Sequence, residues 1–293
     1  MKKAFLAGIL ISAFSSSVWA DQKVEAKTTS SSSSSSMTLG YQYLGDENSI
    51  WTTNVQYTST RSKILDSNGQ IETTRDLQWI NDWDWETGWF VELGVGGSNT
   101  EVNKIHTANT DFSLGRTHED LNNFNWSLTF GRNNIQQADA RTKGGKRLDI
   151  LQSKFGLQAG IDIVDWLSVS IFSDRYTYDK DVDQALTLLQ NSAAVRLYGT
   201  AFSDQLSTLI EKESGVSFIV RFDDSWRLTL TGTKSVDAPA PHAEGTGISS
   251  KLYHKFNSEW DGSVTLGSNH YDATSTTPST SYSYVGLGAG YTW

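Results

Sequence analysis

The chain has 293 residues, no cysteine, a formal charge of −9, and only 19% charged and 37% hydrophobic residues. No disulfide can form, the acidic balance argues against gripping a nucleic-acid backbone, and both fractions lie below those of an ordinary soluble domain, where about a quarter of residues are charged and nearly half apolar. Glycine (24), tryptophan (11) and tyrosine (11) are plentiful and proline (3) is scarce, which is a strand-and-turn composition.

Residues 1–20 read as a secretory signal. Lys2 and Lys3 form a positive start, Ala4 to Phe14 an apolar core, and Val18-Trp19-Ala20 a cleavage end, so cleavage is expected after Ala20. The apolar run is too short to cross a bilayer as a helix, and no stretch of about 20 apolar residues follows. Residues 21–36, with the serine run Ser30 to Ser36, are expected to be a flexible leader with no apolar face to bury.

From residue 37 onward, segments alternate apolar and polar side chains, as a strand with two unlike faces requires. Trp89, Val91, Leu93 and Val95 oppose Phe90, Glu92 and Gly94; Phe124, Trp126, Leu128 and Phe130 oppose Asn125, Ser127, Thr129 and Gly131. Phe155, Leu157, Ala159, Ile161 and Ile163 oppose Lys154, Gly156, Gln158, Gly160 and Asp162. The pattern returns at Val216 to Phe222, at Trp226 to Thr231, and in the last strand, where Val285, Leu287, Ala289, Tyr291 and Trp293 oppose Tyr284, Gly286, Gly288, Gly290 and Thr292.

Several of these strands run near ten residues, the length a tilted strand needs to cross a bilayer and longer than sandwich strands average. Tryptophans gather at one end of successive hairpins: Trp83, Trp85 and Trp89 around Glu86-Thr87-Gly88, then Trp166, Trp226 and Trp260, with Trp293 closing the chain. That distribution predicts an aromatic girdle at a membrane interface. The expected fold class is therefore all-β, an antiparallel transmembrane up-and-down β-barrel over residues 37–293.

Thirteen strands are predicted, near 37–45, 49–60, 72–84, 88–98, 108–116, 122–132, 149–163, 166–177, 213–222, 225–235, 247–256, 262–270 and 281–293, with a further one possible near 193–202. Because such barrels usually have even strand numbers, about twelve are expected, with fourteen as the alternative. The Trp-flanked turns are short. The opposite connections, Arg61–Gln70, Asn133–Lys146, Tyr178 to about Ser214, Ser235–Gly245 and Tyr271–Ser279, are expected to be long polar loops facing outward.

The closing segment Tyr284-Val285-Gly286-Leu287-Gly288-Ala289-Gly290-Tyr291-Thr292-Trp293 resembles the C-terminal signal of bacterial outer-membrane β-barrels, a porin-like class. That signal alternates apolar residues, carries an aromatic near the third position from the end, and usually closes on phenylalanine, where this chain has Trp293. The resemblance implies an outer-membrane location and insertion by the barrel-assembly machinery.

Within the barrel the polar face carries both signs: Glu92, Lys154, Asp162, Arg221, Arg227, Lys251 and Lys255, with Asp82 beside them. Opposed charges lining a pore select solutes. The expected function is passive, charge-tuned diffusion of small hydrophilic solutes, with no enzymatic activity and no cofactor. The alternatives are a non-channel structural, assembly or surface-binding barrel, and an outer-membrane hydrolase.

In the long segment 179–214, Val182, Leu186, Leu189 and Ala193 recur at helical spacing. This predicts a helix either folded into the mouth or capping it from outside. Asp179, Asp181 and Asp183 alternate like the start of a calcium loop, but Gln184 stands where glycine is needed and no glutamate closes the loop. Ser268 and His270 share one strand face, in the reverse order to the His-x-Ser of the outer-membrane phospholipases they resemble. His254 is expected to face outward near the periplasmic rim, and His106, His118 and His242 suggest no metal spacing. Apolar outward faces suit lipid and subunit contact alike, so the oligomeric state is not determined.

Overall fold

A computed structural model describes residues 21–45, 51–65, 69–141, 147–189, 201–272 and 279–293; the signal segment 1–20 lies outside them. Fourteen antiparallel strands close into one barrel in chain order, with β1 returning to pair with β14. The strands are β1 (Asp21–Ser31), β2 (Ser34–Gly45), β3 (Trp51–Leu65), β4 (Ile71–Asp84), β5 (Trp89–Thr100), β6 (Ile105–His118) and β7 (Phe124–Arg141). They continue as β8 (Arg147–Val164), β9 (Leu167–Tyr178), β10 (Ile210–Arg221), β11 (Trp226–Asp237), β12 (Glu244–Lys255), β13 (Trp260–Tyr271) and β14 (Thr280–Thr292). Among the described residues, two helices, α1 (Val182–Leu189) and α2 (Ala201–Ser207), lie between β9 and β10.

The thirteen predicted strands correspond to β2–β14, and β1 at the start of the chain is the one added, which gives the alternative of fourteen rather than about twelve. Residues 21–36 are not a free leader. Asp21–Ser31 forms β1 and Ser34 opens β2, with Ser31 Oγ accepting from the Ser33 and Ser34 amides at 3.2 and 3.1 Å to close the turn. The serine run hides the pattern because serine has little side chain to place on either face. Yet Val24 and Ala26 still alternate with Lys23, Glu25 and Lys27, and β1 is the strand that lets β14 pair on both edges. The possible strand near 193–202 does not form over its last residues, since Ala201–Ser207 is helical; residues 193–200 lie outside the described residues.

The loops expected opposite the Trp turns are also largely corrected. β7 and β8 each run 18 residues, taking most of 133–146 into the ladder, and β3 continues to Leu65. Polar side chains do not end a strand when the backbone still has a partner to pair with. Among the described residues, the long connection is the one between β9 and β10.

The barrel is apolar on the outside. Leu77, Phe130, Leu157, Ile171, Leu230 and Leu287 are each about half exposed on the outer wall. Exposed apolar surface of this extent marks a face that meets lipid or another protein. Among the described residues no helix is long and apolar enough to cross a membrane.

Candidate functional site: the barrel lumen and its mouth

Register fixes which side chains face the interior. Glu92, Asp111, Lys154 and Gln158 line one cavity of about 410 Å³. Following the ladder from Lys154 through its neighbours puts Asp162, Arg221, Arg227, Lys251 and Lys255 on the same inward face. All seven charged residues singled out from the sequence therefore point into the lumen, as does Asp82.

They do not share one environment. At the short-turn rim Asp162 accepts from Ser168 and, at 2.8 Å, from Asn123, while Arg221 donates to Ser168 Oγ at 2.7 Å. That pair is consumed internally and fastens β8 to β10. Arg227 lies over the Tyr253 ring at 4.9 Å, and Lys255 sits at the strand end opposite Asp261.

The acidic side is built on β4 to β6. Asp82 and Glu92 are direct cross-strand partners. Asp111 lies where a Cβ on Gly131 would collide with it, and Asp174 lies likewise over Gly156. The two glycines leave room for two carboxylates to flank Lys154, which donates to Asp174 at 2.8 Å and stands 5.9 Å from the Tyr176 ring.

The basic side is built on β11, β12 and β1. Lys251 and Arg227 project from β12 and β11. β1 adds Lys23, paired with Glu25 and Asp261 at 2.7 and 2.8 Å, and Lys27. Lys27 and Lys251 form no ion pair among the described residues, and each lies within electrostatic reach of the other. Lys27 was invisible from the sequence because its strand read as a leader. β5 and β12 stand half the circle apart in the 14-strand order, so Glu92 and Lys251 face each other across the lumen, while β1 with Lys27 lies between the two walls, four strands from β5.

The β9–β10 connection decides the mouth. Its helices pack on the inward-facing Ile105, Ile135, Leu148 and Ile150, with Val182, Ala185, Leu189, Phe202 and Leu206 buried between. Of the two readings of the helical spacing, the structure takes the one folded inward; Ala193 lies outside the described residues. Polar contacts pin it. Asp181 caps α1 by accepting from the Gln184 amide at 3.0 Å, Asp183 accepts from the Ala240 amide at 3.1 Å, and Asp179 accepts from the Leu151 amide at 2.7 Å. The three aspartates thus go to three different backbone partners, and no metal-holding group of acidic and histidine residues occurs among the described residues. Lys180 binds Asp149 at 2.7 Å. Burial would lower its pKa, but the hydrogen bond to Asp149 and the charges of Asp149 and Asp179 hold it above the usual lysine value.

Ser268 and His270 are not paired. His270 Nδ1 bonds Ser281 Oγ at 2.7 Å and Nε2 lies 3.3 Å from Asp272, while Ser283 donates to Ser268 at 3.5 Å. The resulting Ser281–His270–Asp272 trio sits on the outer wall with His270 and Asp272 about half exposed. His270 and Ser281 are ladder partners.

The Trp-flanked end carries a ring of aromatic side chains. Trp51 faces Trp83, Trp89 meets Trp126 edge-on at 5.8 Å, Trp226 stacks on His254 at 4.0 Å, and Trp260 lies 4.8 Å from Tyr291. Trp85, Trp166 and Trp293 are exposed at the same rim. Trp51 and Trp126, read from the sequence only as strand residues, complete it.

These features define a closed fourteen-strand antiparallel β-barrel with a polar, charged lumen. No protein-family model matches the chain, and no curated protein sequence is significantly similar to it. Among solved structures, the chain is similar to the CymD monoaromatic hydrocarbon channel, with a TM-score of 0.55 and 8% identity over 93% of this chain and 87% of that one. It is also similar to the outer-membrane channel DcaP of Acinetobacter baumannii (TM-score 0.48, 10% identity, 96% and 99% covered) and to the KdgM porin (0.44, 8%, 92% and 98%). At these identities the likeness is one of fold, and the CymD comparison carries it.

Proposed function

We propose that the protein is an outer-membrane channel for passive diffusion of small hydrophilic solutes, tuned by the charges of its lumen. The observation that carries this reading is the separation of charge that no ion pair takes up among the described residues: Glu92, hydrogen-bonded to Asp82, and Asp111 on one wall, and Lys251 on the wall opposite, with Lys27 within reach of it. Left unsolvated, unpaired charges of this kind are costly; around a water-filled passage they remain hydrated and act on whatever passes. Inward-facing carboxylates outnumber inward-facing lysines and arginines, so cations are favoured over anions. The folded-in β9–β10 connection narrows one side of the mouth.

The aromatic rim, the apolar outer wall and the C-terminal strand support placement in the outer membrane with the short turns at the periplasm, and insertion by the barrel-assembly machinery. Purified protein in planar bilayers is expected to give steady conductance steps with a reversal potential on the cation-selective side. Silence in the bilayer under conditions where the barrel is folded overturns the reading.

A further inference from the structure

The outer wall divides charge in a way the lumen does not. Arg61, Arg75, Arg132, Arg175, Lys212 and Lys234 all face outward and are exposed. Each follows the outward apolar run of its strand toward the long-connection end. Tyr57 leads through Ser59 to Arg61, Leu77 to Arg75, Phe130 to Arg132, Ile171 through Ser173 to Arg175, Val216 through Ser214 to Lys212, and Leu230 through Gly232 to Lys234. They form a collar on β3, β4, β7, β9, β10 and β11. Among the described strand residues, outward carboxylates occur only at the tips, at Asp149 and Glu244. In a chain of net charge −9, nearly all the strand carboxylates thus turn inward, while the outer wall keeps these six cations.

The collar is densest where β9, β10 and β11 adjoin. Arg175 and Lys212 are direct cross-strand partners, an arrangement that like charges disfavour. Lys234 follows on the next strand, opposite Ser214. Carboxylates answer this charge only in part: Arg75 pairs with Glu101, Lys212 lies 3.5 Å from Glu211 and Lys234 lies 2.7 Å from Glu244, while Arg175 and Arg132 have no ion-pair partner among the described residues. An anion shared between neighbouring strands removes the repulsion, and guanidinium and ammonium groups together are suited to phosphate.

We infer that this collar binds the phosphate groups of the lipids surrounding the long-connection end of the barrel, with its principal site at Arg175, Lys212 and Lys234. The inference rests on the membrane placement given above. The occupant is lipid because the cations border the apolar band directly: a molecule held there puts its acyl chains on Ile171, Val216 and Leu230 and its phosphate on the collar.

The test is native mass spectrometry of the full barrel in micelles with diphosphoryl lipid A, its dephosphorylated form, or inorganic phosphate. The diphosphoryl lipid is expected to stay bound at least tenfold more tightly than the dephosphorylated one, and the triple variant Arg175→Gln, Lys212→Gln, Lys234→Gln is expected to lose that preference. Each single variant should lose part of it, which keeps the test open if the triple variant fails to fold. Equal retention by wild type and folded variants, or release of the lipid by inorganic phosphate at equal concentration, overturns the inference. Conductance separates the two readings: a barrel that is silent in bilayers yet holds phosphorylated lipid through these residues removes the channel and leaves the collar.

Discussion

Lys154 donates to Asp174 at 2.8 Å diagonally across β8 and β9, and Asp111 faces the same cavity wall from β6. Lys154 is thus the one cation set into the acidic side of the lumen. Lys154→Met is expected to shift the reversal potential further toward cation selectivity. The pair is partly exposed, so the stability loss should be small, about 1 kcal/mol. Reversal potentials under a salt gradient and urea unfolding in micelles check both parts, and an unchanged reversal potential counts against the acidic wall as a selector.

The basic wall predicts the converse experiment. Lys27→Glu combined with Lys251→Glu removes the opposing charge and is expected to raise cation over anion permeability. A change of roughly 1 kcal/mol in local electrostatic energy is about fivefold in that ratio. The effect should weaken at high salt, since screening shortens the reach of both walls.

Gly131 and Gly156 make room for carboxylates rather than for a turn. Gly131→Val should displace Asp111 and overpack the inner wall, at a cost of about 1–3 kcal/mol. Heat-modifiable gel mobility gives the stability, and the accompanying change in selectivity distinguishes displacement of Asp111 from a loss of folding alone.

The mouth is closed on one side by packing, so it should open when packing is lost. Leu206 is fully buried among Ile135, Ile150 and Phe202. Leu206→Ala removes contacts worth about 2–5 kcal/mol at the site, and Leu206→Asp adds a buried unpaired charge. Both are expected to increase single-channel conductance and to expose residues 182–207 to protease, with the barrel itself intact. Unchanged conductance in a protease-sensitive variant would falsify the constricting role of the helices.

Strand faces, the aromatic rim and the inward position of Glu92, Lys154, Asp162, Arg221, Arg227, Lys251 and Lys255 were legible in the sequence, because alternation has a period of two and depends on no distant partner. β1 was not, because serines carry no signal of face; nor were the lengths of β7 and β8, because polar residues read as loop until a neighbouring strand is present to bond them.

Which charges stay free was decided by tertiary structure alone. Asp162 and Arg221 looked equivalent to Glu92 and Lys251 along the chain, yet the first two are tied together through Ser168 and the latter two stand on opposite walls. The amino-acid order determined that this chain makes two-faced strands and hence a barrel. Closure of the fourteenth strand onto the first determined which walls oppose, and the docking of the β9–β10 helices on Ile135 and Ile150 determined the shape of the mouth. Both depend on contacts between residues far apart in sequence, which no local pattern encodes.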